Sequence, residues 1–224
     1  MPLTVDYLSL TLLGGLLALD GTAMGQFMVS RPLVAGVLAG WVIGDPVLGL
    51  LIGGFLEVFF ISIFPVGGSE FPEGGPPTLV AVATGAAVAG PAGVAVGVAL
   101  GLLLSRFGAL STRVLRRVNG RIVPDPSRMT VTPSRVVWAH LSCLGLDFVR
   151  GCILTGLGLW AGSWLAAAPL GIWPLRWPGT LALIAVGATI PAGALVGSLG
   201  GWRKRGKLFG AGLAVFLLAS LVLG

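Results

Sequence analysis

The stretch SRPLVAGVLAGWVIGDP, residues 30 to 46, constrains the fold of this chain more than any other. An apolar run of about a dozen residues is closed at one end by Arg31-Pro32 and at the other by Gly44-Asp45-Pro46. At ~1.5 Å per residue such a helix is ~18 Å long, well short of a ~30 Å hydrocarbon core. Yet 55% of the 224 residues are hydrophobic and only 10% are charged. A soluble domain carries about a quarter charged residues, so this chain belongs in a membrane. A segment too short to cross, in a chain too apolar for water, has to end inside the protein.

Segments 79–104, 138–167, 178–201 and 208–224 are long enough to span a bilayer, and they lack the alternation of a barrel strand. Segments 7–19 and 33–44 are too short, and 47–64 is near full length. The expected fold is all-α: one polytopic membrane domain, 1–224, with full-length transmembrane helices and broken or re-entrant half-helices in its N-terminal half. Broken helices survive at depth only where they line a protein-enclosed cavity. The N-terminus MPLTVDYLSL carries Asp6 in place of a basic region, so no cleavable signal peptide is expected.

The net charge of +6 reports topology. Seven of the fourteen basic residues lie between Arg106 and Arg135, and four more are Arg203, Lys204, Arg205 and Lys207. Basic clusters between apolar segments mark cytoplasmic loops of an inner (plasma) membrane protein, and no aromatic interleaving suggests nucleic acid. Region 106–135 is therefore read as a basic cytoplasmic loop, its first part, RFGALSTRVLRRVNGR, forming an amphipathic helix on the inner leaflet. The connection 166–180 then lies outside, with Trp164, Trp173 and Trp177 as interface anchors. Cys143 and Cys152, nine residues apart, fall on opposite helix faces roughly 13 Å apart, too far for a disulfide.

Glycines recur every four residues at Gly36/Gly40/Gly44, Gly49/Gly53, Gly93/Gly97/Gly101, Gly158/Gly162 and Gly193/Gly197/Gly201. Each series offers a helix face that another backbone can approach closely. Static packing is the expectation, ahead of a sliding surface.

Six of the eight acidic residues fall within the first 73 positions. A carboxylate at membrane depth is costly and tends to face the bundle interior or a wet cavity. Glu57 stands in the apolar run LLIGGFLEVFFISIF, either as a ligand group or paired with Arg31. Asp20 and Gln26 flank the break DGTAMG, where helix ends expose unpaired backbone groups to a small polar ligand. Asp20 could equally be a turn residue. Glu70 and Glu73 lie in a Gly/Pro-rich stretch, as solvated loop charges or as cavity lining. Arg31, Pro32, Asp45 and Pro46 read as structural helix breaks, with Asp45 capping the helix that Pro46 begins. Asp147 and Arg150, three apart on one helix, read as an ion pair. His140 is the only histidine, so neither a metal site nor a cofactor is expected, and no catalytic centre is evident.

The ordered pieces LD (19–20), Gln26, SRPLVAG (30–36), GDP (44–46), GLLIGGFLE (49–57) and PVGG (65–68) resemble the IIC component of mannose/fructose/sorbose-family sugar phosphotransferase systems. HLSCLGLDFVRGCILT, 140 to 155, resembles that family more weakly. The resemblance implies a permease subunit, not an enzyme, that moves a hexose-type sugar inward with a IID membrane subunit. Cytoplasmic IIA and IIB phosphocarriers would phosphorylate the sugar, and the assembly is expected to be oligomeric. Carried onto this sequence, the resemblance favours Asp20, Gln26, Glu57 and Glu70 as sugar-binding residues. An ion- or proton-coupled transporter using Glu57 is the alternative from a different class.

Overall fold

The computed structural model describes residues 6–63, 71–127, 131–168, 173–198, 200, 206 and 207. Among them every regular element is a helix: α1 (Tyr7–Thr22), α2 (Pro32–Ile43), α3 (Pro46–Phe59), α4 (Gly75–Val88), α5 (Gly90–Ile122), α6 (Pro133–Ala167) and α7 (Trp177–Ser198). The first four have 12 to 16 residues, too few to cross a bilayer, whereas α5, α6 and α7 have 33, 35 and 22. The expected half-helices are therefore present, and α2 keeps the bounds its flanking prolines set.

Local chemistry fixes these ends. The Asp6 carboxylate accepts from the Ser9 amide at 3.1 Å and caps α1. Asp45 accepts from the Leu48 amide at 2.9 Å and caps α3, whose first turn holds Pro46. Gly44 closes α2 in the left-handed region, φ +90°, where a side chain would be strained. Two residues, Gly44 and Asp45, then suffice to reverse the chain.

That reversal folds α2 onto α3 through glycine. A Cβ on Gly49 would run into the Gly36 carbonyl oxygen, one on Gly53 into that of Pro32, and one on Gly40 would lie 2.6 Å from that of Asp45. The two backbones touch, as the glycine spacing anticipated. Gly93 and Gly97 of α5 do the same against Gly85 and Ala81 of α4, and Gly158 and Gly162 of α6 admit Val80 and Thr84. Gly193 and Gly197 meet nothing within 4 Å among the described residues, and Gly201 lies outside them.

Segment 47–64 falls short of the near-full length expected, since α3 ends at Phe59 after 14 residues. The structure corrects two further sequence readings. Segment 79–104 is not one crossing: the chain breaks at Ala89 (φ +60°) and Gly90 (φ +63°), ahead of Pro91. Proline bars the preceding residue from helical geometry, so the break falls where the sequence reads AGP. α4 becomes a separate short helix, and Thr78 to Val82 are entirely buried between α2, α5 and α6. A helix apolar all round belongs at the centre of a bundle. The second correction concerns 106–135. α5 continues without interruption to Ile122, leaving only 123–132 as connection. Gly97, Gly101, Ser105, Gly108, Thr112 and Leu115 form one buried face, while Arg106, Arg117 and Arg121 point outward. The first part of the basic region is thus a helix, as read, but an extension of α5 packed on the bundle, not a separate interfacial helix. The fourth long segment, 208–224, lies outside the described residues.

Replacing Gly49 with alanine forces two backbones apart and should cost about 1–3 kcal/mol. Gly193→Ala, with no described atom within 4 Å of the added Cβ, should be neutral or stabilising by up to about 1 kcal/mol. Thermal unfolding in detergent is expected to separate the two variants, with only Gly49→Ala lowering the midpoint.

Candidate functional site

Three charged constellations gather at the ends of the short helices. The first is the turn after α1. Asp20 accepts from the Phe27 amide at 2.7 Å through one oxygen and from the Ser30 amide at 2.8 Å through the other. Within this turn Gln26 (φ +52°) and Met28 (φ +64°) adopt left-handed backbone although neither is glycine. Such conformations cost about 1–3 kcal/mol each and persist only where neighbours impose them. The Asp20 carboxylate is the neighbour that does so. Its role is therefore first that of a turn organiser. Gln26 stands exposed at the turn's outer side, between Met24 and Phe27, which are 54% and 81% exposed.

The second constellation joins α2 and α3. Arg31 Nε donates to Glu57 Oε1 at 2.7 Å, Nη2 donates to the same oxygen, and Glu57 Oε2 accepts from the Leu33 amide at 3.2 Å. Of the two readings open for Glu57, the structure shows the Arg31 pair. The carboxylate also satisfies an unpaired amide at the start of α2, which has no side-chain cap at Arg31.

The third is the most buried. Arg150, midway along α6, extends both terminal nitrogens to Glu73: Nη1 to Oε2 at 2.7 Å and Nη2 to Oε1 at 2.8 Å. Its Nε donates to Asp147 Oδ1 at 2.9 Å, and Nη1 also reaches Ser111 Oγ at 2.9 Å. Asp147 Oδ2 accepts from the Thr22 hydroxyl. Glu73 and Asp147 are 5% and 1% exposed, so two carboxylates and one guanidinium sit in the interior with every partner supplied by protein. The cluster ties together α1, the segment before α4, α5 and α6. Gly108 of α5 is where Glu73 fits, since a Cβ there would collide with its side chain.

Between these groups lies a cavity of about 90 Å³. Among the described residues its polar lining is Thr22, Ser30, Arg31, Glu73, Thr112, Arg113 and Arg116, and it does not include Asp20, Gln26 or Glu57. Glu57 thus reaches the cavity only through Arg31, and Asp20 only through Ser30. Glu70 lies outside the described residues. Asp20 and Glu57 are brought to one region, but behind the cavity wall and not in it, and Gln26 stands on the outer side of the turn.

The sequence pointed to Asp147–Arg150 and missed that Glu73 completes the pair. A signal was present: an arginine in mid-helix offers five donors, more than one carboxylate satisfies. Arg113 and Arg116 were read only as topology markers, yet both face the cavity.

Comparison with known proteins bears on the same region. The family model described as PTS system sorbose-specific IIC component matches residues 4–124. The mannose-specific EIIC component of Escherichia coli (strain K12) is 26% identical over 155 residues, covering 68% of this chain and 58% of that protein. The sorbose-specific EIIC component of Lacticaseibacillus casei is 24% identical over 137 residues, 60% of this chain and 49% of that protein. The chain thus spans about half to three-fifths of the length of these curated relatives. Among solved structures, a chain of the cryo-EM complex of the mannose transporter ManYZ with microcin E492 superposes with a TM-score of 0.62 at 20% identity, covering 98% of this chain and 88% of that one. At that identity the superposition establishes the fold.

The buried cluster makes an ordered prediction. Arg150→Gln strands two carboxylates and should cost about 3–5 kcal/mol, the penalty for an uncompensated buried charge. Glu73→Gln leaves Arg150 its Asp147 partner and should cost less. Recovery of monodisperse protein in detergent and its melting temperature are expected to rank wild type, Glu73→Gln and Arg150→Gln in that order.

Proposed function

The chain belongs to the sorbose-specific IIC family of phosphotransferase systems, whose model matches more than half of it, and on that premise we propose that it is a sugar-translocating membrane subunit. In this reading it carries a hexose-type sugar inward to a separate cytoplasmic IIB subunit, which phosphorylates it with phosphate relayed through IIA. Phosphoryl transfer belongs to those partners, and a IID subunit completes the membrane part. The similar chain from the ManYZ transporter supports a shared membrane assembly.

The observation that carries the proposal is a cavity inside an apolar bundle with Arg31 and Glu73 in its wall, where four short helices end. Carboxylates suit sugar hydroxyls because charge-assisted hydrogen bonds are the stronger kind. Each carboxylate oxygen offers about two acceptor positions, so Asp20 and Glu57, although engaged, can each take a further hydroxyl. Gln26 both donates and accepts, and Glu70 stands with them as a proposed ligand. At about 90 Å³ the cavity is smaller than the ~300 Å³ at which small-molecule pockets begin. Admission of a sugar therefore requires the site to widen. The strained turn at Gln26 and Met28 is the element whose movement would do so.

A proton-coupled carrier built on Glu57 finds less support, because that carboxylate is already held by Arg31 and the Leu33 amide.

Asp20→Asn removes one anionic acceptor from the turn, and Glu57→Gln releases Arg31. Both are expected to lower phosphoenolpyruvate-dependent sugar uptake by about a hundredfold, the scale of a 1 Å misplacement, while insertion into the membrane is kept. Accumulation of sugar phosphate, measured in cells that co-express the partner subunits, checks the reading. Uptake that proceeds without phosphoenolpyruvate would assign the chain to a different transport class.

A further inference from the structure

One face of α5 carries Leu103, Arg106, Leu110, Val114 and Arg117, which follow one another at steps of three or four residues. All five are exposed. Apolar side chains turned outward from a membrane helix suit lipid, but a guanidinium among them is costly. Arg31 and Arg150 are paired with carboxylates. Arg106, by contrast, makes no hydrogen bond or ion pair among the described residues.

Its depth decides what can neutralise it. Along α5, Arg106 stands ~16 Å from Arg117 and ~22 Å from Arg121, the exposed arginines that mark the basic end of the bundle. In the other direction ~24 Å of helix separates it from Gly90. Contacts with α6 agree. A Cβ on Gly158 would lie 3.0 Å from Leu104, and Ser111 accepts from Arg150 at 2.9 Å, so Arg106 is level with the stretch of α6 between Arg150 and Gly158. That stretch lies between Trp138 and Trp164, ~39 Å apart, and a ~30 Å core bracketed by them contains Arg106. Phosphates at the basic end are about half such a core away.

The carboxylate that Arg106 needs is not spare in this chain. Among the described residues Asp20 and Asp45 hold backbone amides, Glu57 holds Arg31, and Glu73 and Asp147 hold Arg150. A second copy would bring the same acids, each already serving its own fold. We propose that this face of α5 docks a transmembrane helix of the IID subunit, with apolar side chains over Leu103, Leu110 and Val114 and one carboxylate against Arg106. The proposal rests on the reading of the chain as a IIC subunit. Enclosed between two helices, the guanidinium and the carboxylate form a charge-assisted pair that fixes the register of the partner helix.

The test co-expresses the full chain, affinity-tagged, with the IID subunit and measures how much IID is retained in detergent. Wild type is expected to retain it. Arg106→Glu sets like charges together and should weaken retention at least about thirtyfold, the scale for breaking a buried charge pair. Arg106→Lys keeps the charge, and Arg121→Glu makes the same charge reversal at the basic end; each should change retention less than about threefold. A second measurement is independent of affinity. Replacing Leu110 with the photo-crosslinker p-benzoylphenylalanine should give an adduct with the mass of IID in native membranes. Retention by Arg106→Glu equal to wild type, or equal loss in Arg121→Glu, would overturn the proposal. An adduct with a second copy would give the face to self-association, and no protein adduct while IID co-purifies would give it to lipid; either overturns the proposal and leaves the IIC reading standing. Absence of IID from the wild-type preparation would refute that reading, and the proposal with it.

Discussion

A helix of a dozen residues that ends at membrane depth leaves up to four amides at its start and four carbonyls at its finish without partners, and hydrocarbon supplies none. Most of the described structure in the N-terminal half answers that demand. Asp45 takes an amide of α3, Glu57 takes one of α2, and Asp20 takes two in the turn between α1 and α2. The concentration of acids in the first 73 residues follows from this. They lie where the chain is broken most often. Because these ends converge, the groups that satisfy them also form a polar frame around a cavity.

Glycine makes the convergence possible. Helices of 12 and 14 residues bury little apolar surface apiece, so they hold together by bringing backbones into contact. Gly36, Gly40, Gly49 and Gly53 remove the side chains that would keep α2 from α3, and Gly85, Gly93 and Gly97 do the same for α4 and α5. Gly108 extends the principle to charge. It leaves room on α5 for the Glu73 side chain, whose carboxylate Arg150 of α6 grips with two parallel bonds.

Legibility in the sequence tracks the range of the interaction. The bounds of α2 and the cap of α3 are set within a few residues by Pro32, Gly44, Asp45 and Pro46, and they could be read directly. The break at Ala89 was also local, marked by Gly90-Pro91, but the apolar run around it concealed the signal. The extension of α5 was hidden for the opposite reason: its arginines resemble a loop, whereas its inward face of small residues is visible only with a helical period. The partners of Glu57 and Glu73 lie 26 and 77 residues away in the chain. Sequence alone left Glu57 open between two roles and gave Glu73 no partner. Family membership was legible because the motif order survives in one stretch, while the proposed sugar contacts depend on distances that only the fold supplies.

Glu73, in the cavity wall, and Asp20, behind Ser30, differ in what holds them, and that difference bears on motion. Glu73 is fixed by a buried guanidinium whose release would strand two negative charges in the interior. Asp20 is fixed only to backbone amides of an exposed turn that carries two strained residues and three apolar side chains facing outward. A rearrangement of the turn exchanges two hydrogen bonds for others and relieves strain. A rearrangement of the Arg150 cluster exposes bare charge to a low-dielectric interior. Motion that widens the cavity therefore belongs to the turn between α1 and α2, with the Arg150 cluster as the fixed wall against which it moves.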